Sequence, residues 1–188
     1  MLGEVLQFLL DILLQPFVTI LLFRFHLQWL RAPLRNPVGE FIMAVTDFLV
    51  LRVRRFIPSL RGLDSSTLLL ALLVEMLYLA GFMWVQGYMP HGLLLPGLLV
   101  LTVVKLFKIS VYLLMAAVFA QAILSWVNPY SSIAPVLASI THRFLHPLRR
   151  MIPLLGNVDL SPLLLLIICQ LVLIVPIGML ERIALRLF

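Results

Sequence analysis

The sequence predicts an all-α membrane protein: four transmembrane helices as two parallel repeats, each carrying a cytoplasmic in-plane amphipathic helix. Three observations point there. The 188 residues are 63% hydrophobic and 12% charged, against a charged share of about 25% in soluble domains. The mean hydropathy is +1.13, and four apolar runs have the length of a bilayer crossing. A basic elbow, Arg54-Arg55-Phe56-Ile57-Pro58, recurs as Arg149-Arg150-Met151-Ile152-Pro153, each followed by an acid (Asp64, Asp159) and a leucine run.

The first span covers about residues 5–23. Only Gln7, Asp11 and Gln15 interrupt its apolar surface, and Pro16 predicts a kink that neighbouring helices can tolerate. Arg24, His26, Trp29 and Arg31 follow, a set that suits the headgroup layer, with arginines able to snorkel. Residues 38–51 are too short to cross. Phe41, Val45 and Phe48 share one face and Glu40 and Asp47 the other, so an in-plane helix is expected, closed by the elbow.

The second span runs over about 67–85, with Asp64, Ser65 and Ser66 as N-cap candidates and Glu75 as its one charge. Residues 93–104 contain Pro96-Gly97 and are too few to cross alone; they are re-entrant or extend the next helix. The third span covers about 109–127. The second in-plane helix covers about 133–145, with Ile133, Val136, Leu137, Ile140 and Phe144 on one side and Ser139, His142, Arg143 and His146 on the other. Ser132 is its expected cap and Pro147 its expected end. Ser161-Pro162 opens the fourth span, about 161–180, with a second kink at Pro176.

The halves superpose. A shift of 95 places Thr46 on Thr141, Arg54 on Arg149, Pro58 on Pro153, Asp64 on Asp159 and Glu75 on Gln170; a shift of 97 places Trp29 on Trp126 and Arg24 on Gln121. The units are residues 1–90 and 91–188. Of fourteen Lys and Arg, ten lie within 24–61 and 143–150. By the positive-inside rule both elbows are cytoplasmic and both termini outside. The net charge of +6 then reports loops beside anionic lipid, and nucleic acid is not an expected partner. Cys169 stands alone, which excludes an intrachain disulfide. With Glu4 and Asp11 in place of a basic leader, the first span is expected to stay as an anchor.

Pro147-Leu-Arg-Arg-Met-Ile-Pro153, then Gly156 and Asp159-Leu-Ser-Pro-Leu, with Ser125-Trp-Val-Asn-Pro129 ahead, resembles the YggT (YlmG) family. The likeness covers nearly the whole chain as two tandem units. The first departs where Arg52 replaces Pro147 and in its longer connection from Trp29 to Asn36. The resemblance implies a bacterial inner-membrane protein without an assigned catalytic activity. It also implies links to osmotic stress tolerance and cation uptake, to division-site organisation, and in plastids to haem attachment on a b-type cytochrome.

Two sets of residues are candidates for function. Arg52, Arg54, Arg55, Arg143, Arg149 and Arg150 would bind anionic headgroups or an acidic partner; the competing reading is that they only set topology. Glu75 lies about 16 Å along its helix from Asp64, near mid-bilayer, where a charge is expensive. With Asp11, Gln121 and Gln170 it would handle a proton or cation, unless these are polar glue between helices. Under a pseudo-two-fold relation Glu75 and Gln170 would meet. His142 and His146 have i, i+4 spacing without a third ligand, so no metal or cofactor is expected. Neither a Gly-rich phosphate loop nor a hydrolase motif is present, which disfavours an enzyme. The expectation is a scaffold or assembly factor with a membrane partner or a second copy; the alternative is a small transport component using Glu75.

Overall fold

The structure is a computed structural model and describes residues 2–57, 64–87, 94–128, 130–151 and 159–187. Those residues form α1 (Leu2–Trp29), α2 (Pro37–Arg54), α3 (Ser65–Val85), α4 (Leu94–Val127), α5 (Ala134–Met151), α6 (Ser161–Val172) and α7 (Gly178–Leu185). A π-helical turn, Leu173–Ile177, makes α6 and α7 one continuous rod. Among the described residues there is no strand. Pro58, Arg61, His91, Pro129, Pro153 and Gly156, which frame the elbows and turns in the sequence reading, lie outside them.

Four helices are long and apolar enough to cross a membrane: Leu2–Trp29, Ser65–Val85, Leu95–Val127 and Ser161–Leu185. Their outward faces carry large apolar side chains, among them Leu77, Phe119, Leu163 and Ile174, each at least 58% exposed. An apolar surface on that scale is stable only in hydrocarbon, and it marks a multi-pass membrane protein.

The two alternatives for residues 93–104 resolve into one. From Leu94 they are the first third of α4, where Leu98 and Leu101 pack with Leu79 of α3 and Ala184 of α7. Pro96 is tolerated because it sits in the first turn, where its missing N–H has no partner to lose. The Pro176 kink takes the form of the π-turn, whose wider ring accommodates a proline inside the rod. Pro147 does not end α5, which continues to Met151.

Helix starts also differ from expectation. At α5 the Ser131 hydroxyl, not Ser132, accepts from the Ile133 N–H at 3.4 Å. At α6 Ser161 is the first helical residue, and the Asp159 carboxylate accepts its N–H at 2.9 Å. At α3 Asp64 is the cap that wins among the three candidates.

α4 is the central stave and touches α1, α3, α5, α6 and α7. Val104, Val111 and Val118 of α4 pack with Leu165, Cys169 and Ile177 on one side. Its Leu106 joins Val18, Leu21, Leu70 and Ala71 on the other. Leu27, Ala32 and Ile42 meet Ala117, Val136 and Ile140. The last cluster brings the connecting helices α2 and α5 to the same end of the bundle, as parallel repeats require.

The register of α2 is informative. Ile42 shares a cluster with Leu27, Thr46 meets Arg24, and Val50 packs with Val18. All three contacts fall in the C-terminal half of α1, where α2 rests. Its buried stripe is Gly39, Ile42, Thr46 and Val50. The Phe41–Phe48 stripe expected to define its face points outward instead, with Phe48 near the Phe17 ring at 6.1 Å.

Candidate functional site

The first candidate lies between α1 and α3. Gln7, Asp11 and Gln15 recur every four residues, so they line one face of α1. Each meets a polar residue of α3 or its C-cap, Gln86, in antiparallel order. Gln86 Nε2 donates to Gln7 Oε1 at 3.1 Å, Tyr78 Oη to Asp11 Oδ1 at 2.8 Å, and Gln15 Nε2 to Glu75 Oε2 at 3.4 Å. The result is a three-rung ladder from the bundle end to a carboxylate with no solvent exposure. Gly81 lets the helices close on it, since an added Cβ would lie 3.2 Å from Leu10. Glu75 Oε1 has no hydrogen-bond partner among the described residues. The charge of Lys105, across on α4, acts on this carboxylate. Glu75 has two possible roles: a structural acceptor for Gln15, or a group that exchanges a proton or cation.

The second candidate is the opposite, basic end, where two contacts are made twice. Arg24 Nη1 donates to Thr46 Oγ1 at 2.6 Å and to Asp47 Oδ1 at 2.7 Å; at the equivalent place Gln121 and Thr141 are hydrogen-bonded through their side chains. Arg54 Nη2 donates to Asp64 Oδ2 at 2.5 Å, and Arg149 Nε to Asp159 Oδ2 at 2.8 Å. Each acid also caps the next helix, Asp64 through Thr67 and Asp159 through Ser161. Burial pushes both carboxyls up. For Asp64 the Thr67 hydrogen bonds and the Arg54 charge outweigh it, and for Asp159 Ser161 and Arg149 do, so both titrate below the usual carboxylate range.

These geometries divide the arginines. Arg54 and Arg149 are clamps that tie a connecting helix to the span it precedes. Arg143 stacks over the Trp29 ring at 5.5 Å, joining the repeats by a cation–π contact. Arg52, Arg55 and Arg150 are exposed. Arg24 does not snorkel; it is 4% exposed, with its Nη1 held by Thr46 and Asp47 inside the protein.

The four intramembrane polar residues divide too. Asp11 joins the Glu75 ladder through Tyr78, one rung away. Gln121 belongs to the basic end. Gln170 is exposed and does not meet Glu75, whose partner is Gln15, because α4 lies between α3 and α6 where a pseudo-two-fold contact was expected. Sequence reasoning missed Gln15, Tyr78 and Gln86 as partners, although the four-residue spacing on α1 was a usable signal. It also missed a third cluster. Lys108 Nζ donates to both Glu181 carboxylate oxygens at 2.9 and 3.0 Å, and Lys105 Nζ lies 3.3 Å from one of them. His142 and His146 stack at 5.1 Å on exposed α5, and no group of three or more metal-ligating side chains occurs among the described residues.

Comparison with known proteins bears on both candidates. The CCB3/YggT family model matches the chain twice, over residues 3–85 and 100–180, the same division that repeats the clamps. An uncharacterised protein of Pseudomonas aeruginosa is 33% identical, covering 78% of this chain and 75% of its own length. The uncharacterised protein YggT of Escherichia coli K12 is 30% identical over 87% of this chain and 84% of its own. An uncharacterised protein of Vibrio alginolyticus is 32% identical over 86% and 88%. No solved structure matches.

Proposed function

The chain belongs to the CCB3/YggT family, and on that premise we propose that it is a non-enzymatic scaffold or assembly factor of the bacterial inner membrane. Its repeats are the units 1–90 and 91–188. The basic end faces the cytoplasm and both termini face outward, with α2 and α5 held at the headgroup layer. One observation carries the reading: α2 and α5 sit at one end of the bundle with Arg52, Arg55, Arg143, Arg149 and Arg150 exposed there. Five cations on one rim, of which Arg149 is already paired with Asp159, favour anionic headgroups or an acidic segment of a membrane partner, with about 1 kcal/mol from each unpaired one near an anionic surface. Affinity capture in mild detergent tests the proposal. A scaffold co-purifies with a defined membrane protein, and Arg52→Glu with Arg150→Glu releases it. A protein captured alone, with binding to anionic vesicles unchanged by the substitutions, sinks it.

A second reading rests on Glu75, a buried carboxylate with one oxygen unpartnered among the described residues and a polar ladder leading to it from the bundle end. In it the chain is a small proton or cation transport component linked to osmotic stress tolerance. Reconstituted vesicles of the purified chain then carry a flux that Glu75→Gln abolishes; vesicles without flux remove this reading.

A further inference from the structure

At the end of the bundle away from the two elbows, a crevice of about 540 Å³ opens between α3, α4 and α7. Its walls are apolar, with Leu79, Phe82, Leu101 and Leu185, and its polar atoms come from Lys105, Glu181, Tyr78 and Gln86. The volume lies in the range of small-molecule sites. We propose that this crevice binds one phospholipid, with the headgroup phosphate on Lys105 and part of an acyl chain against the apolar walls.

The charges select that occupant. Lys105, Lys108 and Glu181 together leave one positive charge. Lys108 bonds both Glu181 oxygens and so already neutralises that carboxylate. Lys105 contributes only a longer contact to one oxygen, and of the two lysines it is the one that lines the crevice. A phosphate monoanion completes its coordination, with the second N–H of the Gln86 amide as a further donor on the same wall. The position along the helix fits a headgroup. Lys105 lies 21 residues before Trp126, about 31 Å along α4, so with Trp126 at one interface Lys105 reaches the other. Leu185, one of the lining side chains, is itself 50% exposed, so a phospholipid enters sideways from the surrounding hydrocarbon without crossing water. A free phosphate would leave the apolar walls uncovered.

Photoreactive lipids locate the site. The purified full-length chain in neutral detergent is labelled with phosphatidylglycerol carrying a diazirine in one acyl chain, and with a diacylglycerol carrying the same chain. Labelled residues are then mapped by mass spectrometry. The expected result is label at Phe82, Met83 and Leu185, at least five-fold stronger for phosphatidylglycerol. Lys105→Gln removes that excess and Lys105→Arg restores it, while label around α5 is unchanged. Equal labelling by the two lipids in the wild-type chain overturns the proposal, and that comparison needs no variant to fold. Full labelling of Lys105→Gln also overturns it, as does displacement of the lipid by millimolar inorganic phosphate.

Discussion

The two repeats share a plan at the arginine end and part company inside the membrane. At that end Arg54–Asp64 and Arg149–Asp159 are the same clamp, and Arg24–Thr46 and Gln121–Thr141 the same contact. Between the spans the first repeat is joined by three polar rungs, whereas α4 and the α6–α7 rod are joined mainly by Val, Leu, Ile and Cys, with Lys105 and Lys108 meeting Glu181 at one end. In hydrocarbon, apolar contact between helices gains little over contact with lipid, so polar rungs add specificity where packing alone is weak. The difference teaches that the elbow is what this architecture repeats, while the interior of each half is free to diverge.

The largest expected effect breaks the likeness of the connecting helices. Gly39 lies where the second repeat has Ala134, yet a Cβ at Gly39 would sit 2.2 Å from the Leu34 carbonyl oxygen. The longer connection from Trp29 to Asn36 presses that carbonyl onto α2. Gly39→Ala should therefore cost about 1–3 kcal/mol, as overpacking does, read as earlier unfolding in a detergent titration. A variant as stable as wild type would show that the connection yields freely.

Next come the clamps. Asp64 is 2% exposed, and its second-repeat counterpart is partly open. Arg54→Ala leaves a buried carboxylate short of its cation and should cost about 1–3 kcal/mol, whereas Arg149→Ala, at an exposed pair, should cost about 0–1 kcal/mol. Equal losses in the same titration would mean the two clamps are energetically alike. Smaller again is the ladder: Glu75→Leu should cost about 0.6–2 kcal/mol, and Gln170→Leu, at an exposed position, nothing measurable. A loss at Gln170 would restore the idea of a contact between the halves.

The mildest perturbation is acid. Asp64 and Asp159 titrate below the ordinary carboxylate range in the folded chain. Their stabilisation is therefore complete above the unfolded value near 4 and is lost as pH falls through the lower folded values. Helicity followed down to about pH 2 should fall later in Asp64→Asn than in wild type, relative to each variant's neutral-pH stability. An identical acid transition would show that other groups set it.

Much of this was legible in the sequence because it rests on short-range rules. Span length, proline and arginine counts identify four apolar helices and two elbows. The shift of 95 residues superposes Arg54 on Arg149 and Asp64 on Asp159, although the ion pairs they form are seen only in the fold. What was hidden depends on which faces meet. Periodicity marks Phe41 and Phe48 as one stripe of α2, but lipid covers an apolar face as readily as protein does, so polarity could not say which stripe was inside. The same reasoning explains Glu75. Its cost in hydrocarbon singles it out, but symmetry pointed to Gln170, while the four-residue spacing on α1 held the true partner. Lys105 and Glu181 lie 76 positions apart, and only the return of the α6–α7 rod along α4 unites them.

The length of α4 has one more consequence. Its 34 residues extend about 51 Å, while the 21 residues of α3 beside it extend about 31 Å, close to the roughly 30 Å of a bilayer's hydrocarbon. A tilt of about 40° still leaves α4 longer than that layer. With Lys105 and Trp126 at the two interfaces, about the first three turns of α4 reach past that layer, so the collar of lipid around the protein ends at a different height on α4 than on α3. Membranes of different acyl-chain length will load that collar differently, with α4 as the lever through which they act.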